Sequence, residues 1–583
     1  MRPNTNATNG LIQVGASAMT DLGWRVLETQ NLLGFAWRGR ELQQHALNGW
    51  RPPVELQGPW CFMIITLLCM IILFDNVNKY APYGFLAPVI YAGTDNATSE
   101  IHSDDNRVRI LLDLWSKTLD QGARAAGSDI PRAPHFQDCK KSSEDFTRLD
   151  SRQHDGKRPL WTLWKGALGL ELGGGLSVED DGEEMLSTKA RLQGPYPPWI
   201  QGGDEDNLPL TRRAQRDIWL NQHPRNCSSA KFLLADWESQ KTRSSIGVGA
   251  ELVAMTGLLA VALREGRVLV TKDYHGANHS GCTGSSHSRW SCYFAAEASN
   301  ECIDRALKLS TLKSAWREGI LTSTKNYPPF IVWKEVPVPT TWGRPWESIQ
   351  RTVELDGSLL SGYKAQDRRW WRTQALRYLM RSPSENLCNL LNRARHDAFG
   401  VKAAQIALDL IPREWPEVQY AQPERTPIEK LVWSSLGPWI PRPLVSMHVR
   451  QGDKGSEMRV FAFPEYMKLA EHLKRAFPHV RGIWLSTEME NVVEESRSYT
   501  DWNFYFTNIT RQSGSTSMAA YMAQLGKRRN FDNAFVNLLM AAESDFFIGA
   551  LGSTWSCIID GLRMTSGKMM SGFLTVNPIN ELL

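Results

Sequence analysis

The sequence predicts an α/β fold in which two lobes, each a parallel sheet covered by helices, face a cleft behind a transmembrane helix and a stem. Three observations carry this reading. Residues 231–237 (KFLLADW) read as a strand, IGVGAELVAMTGLLAVALREG as a long apolar helix opened by Gly247 and Gly249, and RVLVT as a second strand, which together make a βαβ unit. From residue 444 the strands LVSMHV, GIWLST, NFYFT, DFFIGAL and GFLTV alternate with helices, the pattern of a doubly wound, Rossmann-like parallel sheet. Between the two blocks, WWRTQALRYLMRSPSENLCNLLNRARHDAF supplies helices that Pro383 interrupts. Third, Trp60 to Phe74 (WCFMIITLLCMIILF) is an uncharged run of 15 residues that Pro59 opens and Asp75 closes.

Composition narrows the function classes. A chain of 583 residues with 42% hydrophobic and 22% charged side chains is too apolar for a disordered protein and too long for a small disulfide-stapled domain. Lys+Arg 66 against Asp+Glu 62 leaves a net charge of +4, too weak a field to make nucleic acid the partner. The 23 tryptophans suit sugar stacking as well as core packing.

A membrane-spanning helix takes roughly 20 residues, so the 15-residue run needs its flanks, and 58–77 is the expected span. Arg38, Arg40 and Arg51 precede it, while Asp95, Glu100, Asp104 and Asp105 follow, which orients residues 1–57 to the cytosol. Glycosylation sequons at Asn96, Asn226, Asn278 and Asn508 then fall on the lumenal side, with one at Asn6 in the tail. Residues 78–208, mixing charged, Gly-rich and Pro-rich stretches, read as a largely disordered stem. The lobes are expected at 209–440 and 441–583. Two of the nine cysteines, Cys61 and Cys69, lie in the span and seven in the lumen, so at least one stays outside any pairing. Cys282 and Cys292 bracket a Gly/Ser-rich loop and are expected to bridge it. His275, His279 and His287 lie nearby, but the spacing matches no zinc framework and no metal is expected.

Chemistry concentrates at the end of the strand LVSMHV, where HVRQGDKGSE places His448, Arg450, Asp453, Lys454 and Glu457 on one loop. Arginine offers a permanently charged fork for phosphate, lysine a second charge, and the carboxylates accept protons or hydroxyl hydrogen bonds. A second loop, GALGSTWS, puts Ser553 and Thr554 at the head of a helix, as Gly247 and Gly249 stand at another. Either turn alone reads equally as an ordinary cap. Together with Arg450, two helix N-termini from different lobes suit one diphosphate.

The segment HVRQGDKGSEMRVFAFPEYM resembles the HVRR-x-D-K signature of α-1,6-fucosyltransferases of the core fucosyltransferase (GT23) type, with support from WWRTQALRYLMR, SDFFIGALGSTWS and the Cys227-to-Cys302 region. The resemblance covers about residues 210–565 and implies a GT-B-like fold, GDP-fucose as donor, and no cofactor. It further implies that Arg450 holds the β-phosphate, His448 the nucleoside side, and Gly247, Gly249, Ser553 and Thr554 the phosphates. Asp453 and Lys454 surround the acceptor hydroxyl, Glu457 is the general base, Tyr466 lines the site, and Asn537 stands where an aspartate reads guanine. Cys227 is expected to pair with Cys302 across the first βαβ unit. The pattern departs at Gln451, at Glu488, at Asn537 and in a segment one residue shorter between Lys454 and Glu457.

The expected protein is thus a type II Golgi membrane glycosyltransferase that moves fucose from GDP-fucose to a glycan or glycoprotein acceptor with inversion, anchored by one helix, with a homodimer open to it. Two alternatives stay open: an inverting transferase of another nucleotide sugar, and a non-catalytic lumenal glycan- or nucleotide-binding protein of the same fold.

Overall fold

The computed structural model describes residues 98–121, 130–151, 210–236, 247–327, 338–348, 366–418, 438–456, 458–514, 516–550, 552–565 and 573–577. The chain divides into two compact units, Met1–Ser99 and Glu100–Leu583, and all described residues but Thr98 and Ser99 belong to the second. The expected span 58–77 and the cytosolic tail lie outside the described residues. Among the described residues no helix is long and apolar enough to cross a membrane.

In chain order the principal elements are α1 (Thr98–Gln121), α2 (Cys139–Leu149), α3 (Thr211–Gln222), β1 (Lys231–Asp236), α4 (Val248–Arg264), β2 (Arg267–Asp273), α5 (Asn300–Ser310) and β3 (Leu321–Ser323). After them come α6 (Gln366–Leu379), α7 (Glu385–Leu408), β4 (Leu444–Val449), α8 (Phe463–Ala476), β5 (Gly482–Thr487), α9 (Glu490–Ser496) and β6 (Asn503–Tyr505). The chain continues through α10 (Met518–Leu525), α11 (Lys527–Glu543), β7 (Phe546–Gly549), α12 (Thr554–Thr565) and β8 (Phe573–Thr575).

The strands form two wholly parallel sheets, ordered β2-β1-β3 and β6-β5-β4-β7-β8. Side chains alternate across each strand. Phe232 and Leu234 of β1 face one core with Val268, Val270, Cys302 and Leu321, whereas Leu233 and Ala235 face the other with Leu269. In the second sheet Val445, Met447 and Val449 bury against Ile483, Leu485 and Ile548, while Leu444, Trp484 and Phe547 point the opposite way.

Those opposite faces meet in one continuous core. Leu252, Met255 and Leu259 of α4, Trp370 and Trp371 of α6, Phe535 and Leu539 of α11 and Ile558 and Leu562 of α12 all belong to it. Trp371 Nε1 donates to Thr256 O at 3.0 Å, and a Cβ on Gly561 of α12 would stand 2.6 Å from Thr373 Oγ1 of α6. The two lobes read from the sequence are therefore two sheets sharing one layer of helices, and the core crosses the boundary expected at 440/441.

The expectation of a disordered stem is corrected for residues 98–121 and 130–151. Leu111 and Trp115 of α1 pack with Ala133, Ala403, Ala404, Leu408 and Trp415, and Trp115 Nε1 donates to Pro131 O at 2.7 Å. A bridge between Cys139 and Cys388 ties α2 to α7. Asp150 pairs with the fully buried Arg381 at 2.6 Å and accepts from Trp219 Nε1 at 3.0 Å. The composition of the whole 78–208 stretch is polar, which hid the helical spacing of Val108, Leu111, Leu112 and Trp115 within it.

The expected pairs Cys227–Cys302 and Cys282–Cys292 are both present, and Cys557 stands outside the three bridges. The sequons at Asn226, Asn278 and Asn508 are exposed; Asn96 and Asn6 lie outside the described residues.

Candidate functional site

In a parallel sheet whose order reverses, the crevice lies beyond the carboxyl ends of the two strands at the reversal. In the five-stranded sheet the chain runs outward from β4 through β5 to β6, then returns to build β7 and β8 on the other side. The switch point is therefore between β4 and β7, and the two loops that leave it are those the sequence singled out: Arg450 onward, and Ala550 to Ser553.

His448, the penultimate residue of β4, is buried, and its Nδ1 lies 2.9 Å from Ser556 Oγ in the first turn of α12. Burial, with the Arg450 charge added, lowers its pKa to about 3, so the ring is neutral. Arg450 follows the strand. Its guanidinium pairs with Glu488 at the end of β5, donates to Gln451 O at 2.7 Å, and meets Asp453 Oδ1 at 2.9 Å. Burial opposes the Arg450 charge, but Glu488 and Asp453 outweigh it and hold the pKa above the ordinary arginine value.

Glu488 is the positioning carboxylate that sequence reasoning noted only as a departure. It also accepts from the Gln451 backbone N–H at 2.9 Å, fixing the loop and the side chain together. Gly452 turns the chain with φ +63, in the left-handed region open to glycine, and a Cβ there would lie 3.2 Å from Gln512 Nε2. Asp453 Oδ2 accepts from Met518 N at 2.8 Å, capping α10. Burial works against its charge, yet that backbone contact and Arg450 bring its pKa below the usual carboxylate range. Lys454 stands on the same short turn, half-buried, with Met458 N donating to its carbonyl at 3.0 Å. Glu457 lies outside the described residues.

The two helix heads meet. A Cβ on Gly249 in the first turn of α4 would touch Trp555 Cε3 at 3.3 Å and Thr554 Cγ2 at 3.8 Å, at the head of α12. Gly247 is the N-cap of α4, Ser553 is buried, and Thr554 is exposed as the first residue of α12. The Arg450 loop closes on the same point, since a Cβ on Gly552 would meet Met458 at 3.1 Å. The first N–H groups of a helix lack intrahelical acceptors and carry the positive end of its dipole. One from each sheet, with Arg450 on the adjoining loop, makes a site for a polyanion.

Two residues expected in contact with the donor stand differently. Tyr466 is fully buried in the core on the far side of the second sheet rather than lining a surface. Asn537 is buried in α11 with its amide engaged. Its Oδ1 accepts from Trp484 Nε1 at 3.0 Å and Ser486 Oγ at 2.8 Å, and its Nδ2 donates to Asn533 O at 2.9 Å. Both were placed by motif position, which carries no information about which face of a helix is covered.

No protein-family model and no curated protein matches the chain. Two solved structures that it resembles are crystal structures of POFUT1. One is in complex with GDP-fucose, at 10% identity over 61% of this chain and 99% of that one, with a TM-score of 0.23. The other is the apo form, at 12% identity over 59% of this chain and 97% of that one, with a TM-score of 0.24.

Proposed function

We propose that this chain is a nucleotide-sugar-dependent glycosyltransferase with a GT-B-like head, and specifically an inverting fucosyltransferase that moves fucose from GDP-fucose to a glycan or glycoprotein acceptor. The observation that carries the reading is the meeting of the α4 and α12 heads beside Arg450 at the switch point between β4 and β7. The signature HVRQGDK supports the choice of donor. A lumenal, type II placement in the Golgi agrees with three disulfides and three exposed sequons.

In the proposed reaction the acceptor oxygen attacks the anomeric carbon on the face opposite the diphosphate. Glu457 takes the acceptor proton, the bond from carbon to the β-phosphate oxygen breaks, and the charge left on the diphosphate is met by Arg450 and the helix heads. Asp453, the more exposed of the two carboxylates on Arg450, is the partner that the diphosphate displaces.

One observation favours a second reading, an inverting transferase of another nucleotide sugar: the Asn537 amide is spent on Trp484, Ser486 and Asn533 instead of being offered to a guanine. Incubating the purified chain with a panel of nucleotide sugars and acceptor glycans, and scoring hydrolysis and transfer, decides between them. Turnover with GDP-fucose alone supports the first reading and turnover with another donor the second. Binding of nucleotide without turnover of any donor would replace both with a non-catalytic binding protein.

A further inference from the structure

Two segments far apart in sequence meet where α11 begins, and neither holds an acidic residue. Residues 274–296 follow β2, and residues 502–531 run through β6 and α10 into α11; both lack Asp and Glu, in a chain that has 62 of them among 583 residues. The second segment ends on the run Lys527, Arg528, Arg529 at the head of α11. The two are clamped together. A Cβ on Gly276 would collide with the Phe531 ring, and one on Gly281 would stand 2.8 Å from Arg528 Nε. Lys527 Nζ lies 3.4 Å from His275 Nδ1, Tyr293 Oη donates to Asp532 Oδ1 at 2.8 Å, and the Cys282–Cys292 bridge closes the loop.

The charge of this face is not spent within the fold. Asp532, the first carboxylate past the run, lies 3.5 Å from Arg528 Nε, while Arg529 is exposed and pairs with no carboxylate among the described residues. At the end of β2 the carboxylates Asp236 and Asp273 are matched by Lys272 at 3.7 and 4.0 Å. Cations in the first turn of a helix also face the positive end of its dipole, which disfavours each of them. Helix stability therefore gives no reason for three of them at this point, whereas an anion brought by a partner does. The place is next to the site: α11 leads into β7, so its head lies at the carboxyl edge of the five-stranded sheet. Glu251, two residues past Gly249 in α4, hydrogen-bonds Tyr274 and feels the Lys527 charge. We propose that Lys527, Arg528 and Arg529, with the exposed face of the 274–296 loop, form an acceptor platform for an acidic oligosaccharide whose carboxylate or sulfate groups the three cations meet.

The platform rests on the nucleotide-sugar reading and names the class of its acceptor. The groups around the cations fit a sugar. His275, Asn278, Ser280, Thr283, Ser285 and His287 are exposed on the loop, a row of hydroxyls, an amide and imidazoles that suits sugar hydroxyls. Burial, with the Lys527 charge added, holds His275 below its ordinary pKa, so near neutrality it hydrogen-bonds without adding charge. None of the exposed large apolar side chains among the described residues lies on either segment, so the face lacks the apolar anchors by which peptides are held in pockets. Exposed cations of this kind raise the rate of encounter and make binding salt-dependent.

The full chain is titrated calorimetrically with GDP, a disialylated biantennary glycan, the same glycan without its sialic acids, a sulfated heparin hexasaccharide and a hexaglutamate peptide. At least one of the two acidic glycans should bind about tenfold more tightly than the neutral one, and that preference should shrink between about 50 and 200 mM salt. Arg528→Glu/Arg529→Glu should weaken binding of that acidic glycan about ten- to a hundredfold and leave GDP affinity unchanged. Glutamate suits the first turn of a helix, so this variant should melt no lower than wild type, and Arg528→Gln/Arg529→Gln should show the same loss in smaller degree. Lys468→Glu/Arg475→Glu makes the same change of net charge on exposed positions of α8, which covers the opposite face of the sheet, and should bind as wild type does. Equal binding of acidic and neutral glycans, wild-type binding by the Arg528/Arg529 variants, or an equal loss in the α8 variant overturns the platform while GDP binding leaves the nucleotide-sugar reading intact. Hexaglutamate bound as tightly as the acidic glycans overturns the choice of an oligosaccharide in favour of an acidic peptide. Wild-type protein that binds the acidic glycan but not GDP overturns the nucleotide-sugar reading and the acceptor role with it, leaving a glycan-binding surface.

Discussion

Arg450 and Glu457 serve different stages of the proposed reaction, so their replacements fail differently. Arg450→Ala removes a charge-assisted contact to the diphosphate and should weaken GDP binding and slow transfer, each by about ten- to a hundredfold. Because it also strips buried Glu488 of its cation, Arg450→Lys serves as the partner variant that keeps the charge. Glu457→Gln keeps the shape and removes the base: GDP affinity, read by calorimetry, should hold while turnover falls by about 10²–10⁴. Unchanged transfer would sink the assignment of the base. The buried histidines give a second test at this scale. His448 and His135 are held neutral at pKa values of about 3 and about 2, burial being the larger cause in each and Arg450 or His396 the next. Unfolded histidine titrates near its ordinary value of 6.5, so the stability these groups contribute is complete above 6.5 and is lost as pH falls toward 3. Each fully engaged histidine should add about 1.4 kcal/mol per pH unit to that acid slope. Denaturant melts from pH 7.5 to 4 should show a shallower slope for His448→Gln than for wild type.

At the level of elements, the helices expected to lie in a spacer are fastened into the head by a few strong contacts. Asp150, just past α2, is the carboxylate on which the fully buried Arg381 depends, and Arg381 in turn joins Tyr378 O and Ala296 O around the end of α6. Removing one partner of a buried pair leaves an uncompensated charge, a loss on the order of 3–5 kcal/mol. Asp150→Ala should therefore lower thermal stability far more than Asp145→Ala, which breaks only an exposed i,i+3 pair with Arg148 worth about 0.3–0.5 kcal/mol. Equal melting temperatures for the two variants would show that the contact at Asp150 does not hold α2 to the head.

For the molecule as a whole, the continuous core sets where the chain can be cut. A protein beginning at residue 98 keeps α1, α2 and the Cys139–Cys388 bridge, and should be soluble, folded and able to bind GDP as the full chain does. One beginning at residue 209 exposes the surfaces of α7 that Leu111 and Trp115 cover and leaves Arg381 without Asp150, so it should aggregate or unfold. Secretion yield and circular dichroism of the two truncations compare them directly. Splitting the chain at 440/441 should give two insoluble halves, because α4 and α6 bury their apolar faces against α11 and α12.

The sequence by itself determined the local elements and their order. Short, nearly continuous apolar runs such as KFLLAD and LVSMHV, the apolar helix after Gly247, the break near Pro383 and the pairing of Cys282 with Cys292 depend on residues close in sequence, so they are legible there. The loop at His448 and Arg450 was legible for the same reason, since a strand end followed by clustered charge needs no partner to be recognised. What only the tertiary structure decided depends on residues far apart. The Cys139–Cys388 bridge spans 249 positions, Arg450 is oriented by Glu488 38 positions away, and Gly249 meets Trp555 across the two sheets. Such contacts exist only because packing brings distant segments together and shuts water out, a balance of burial against hydrogen bonding that no local pattern of residues encodes.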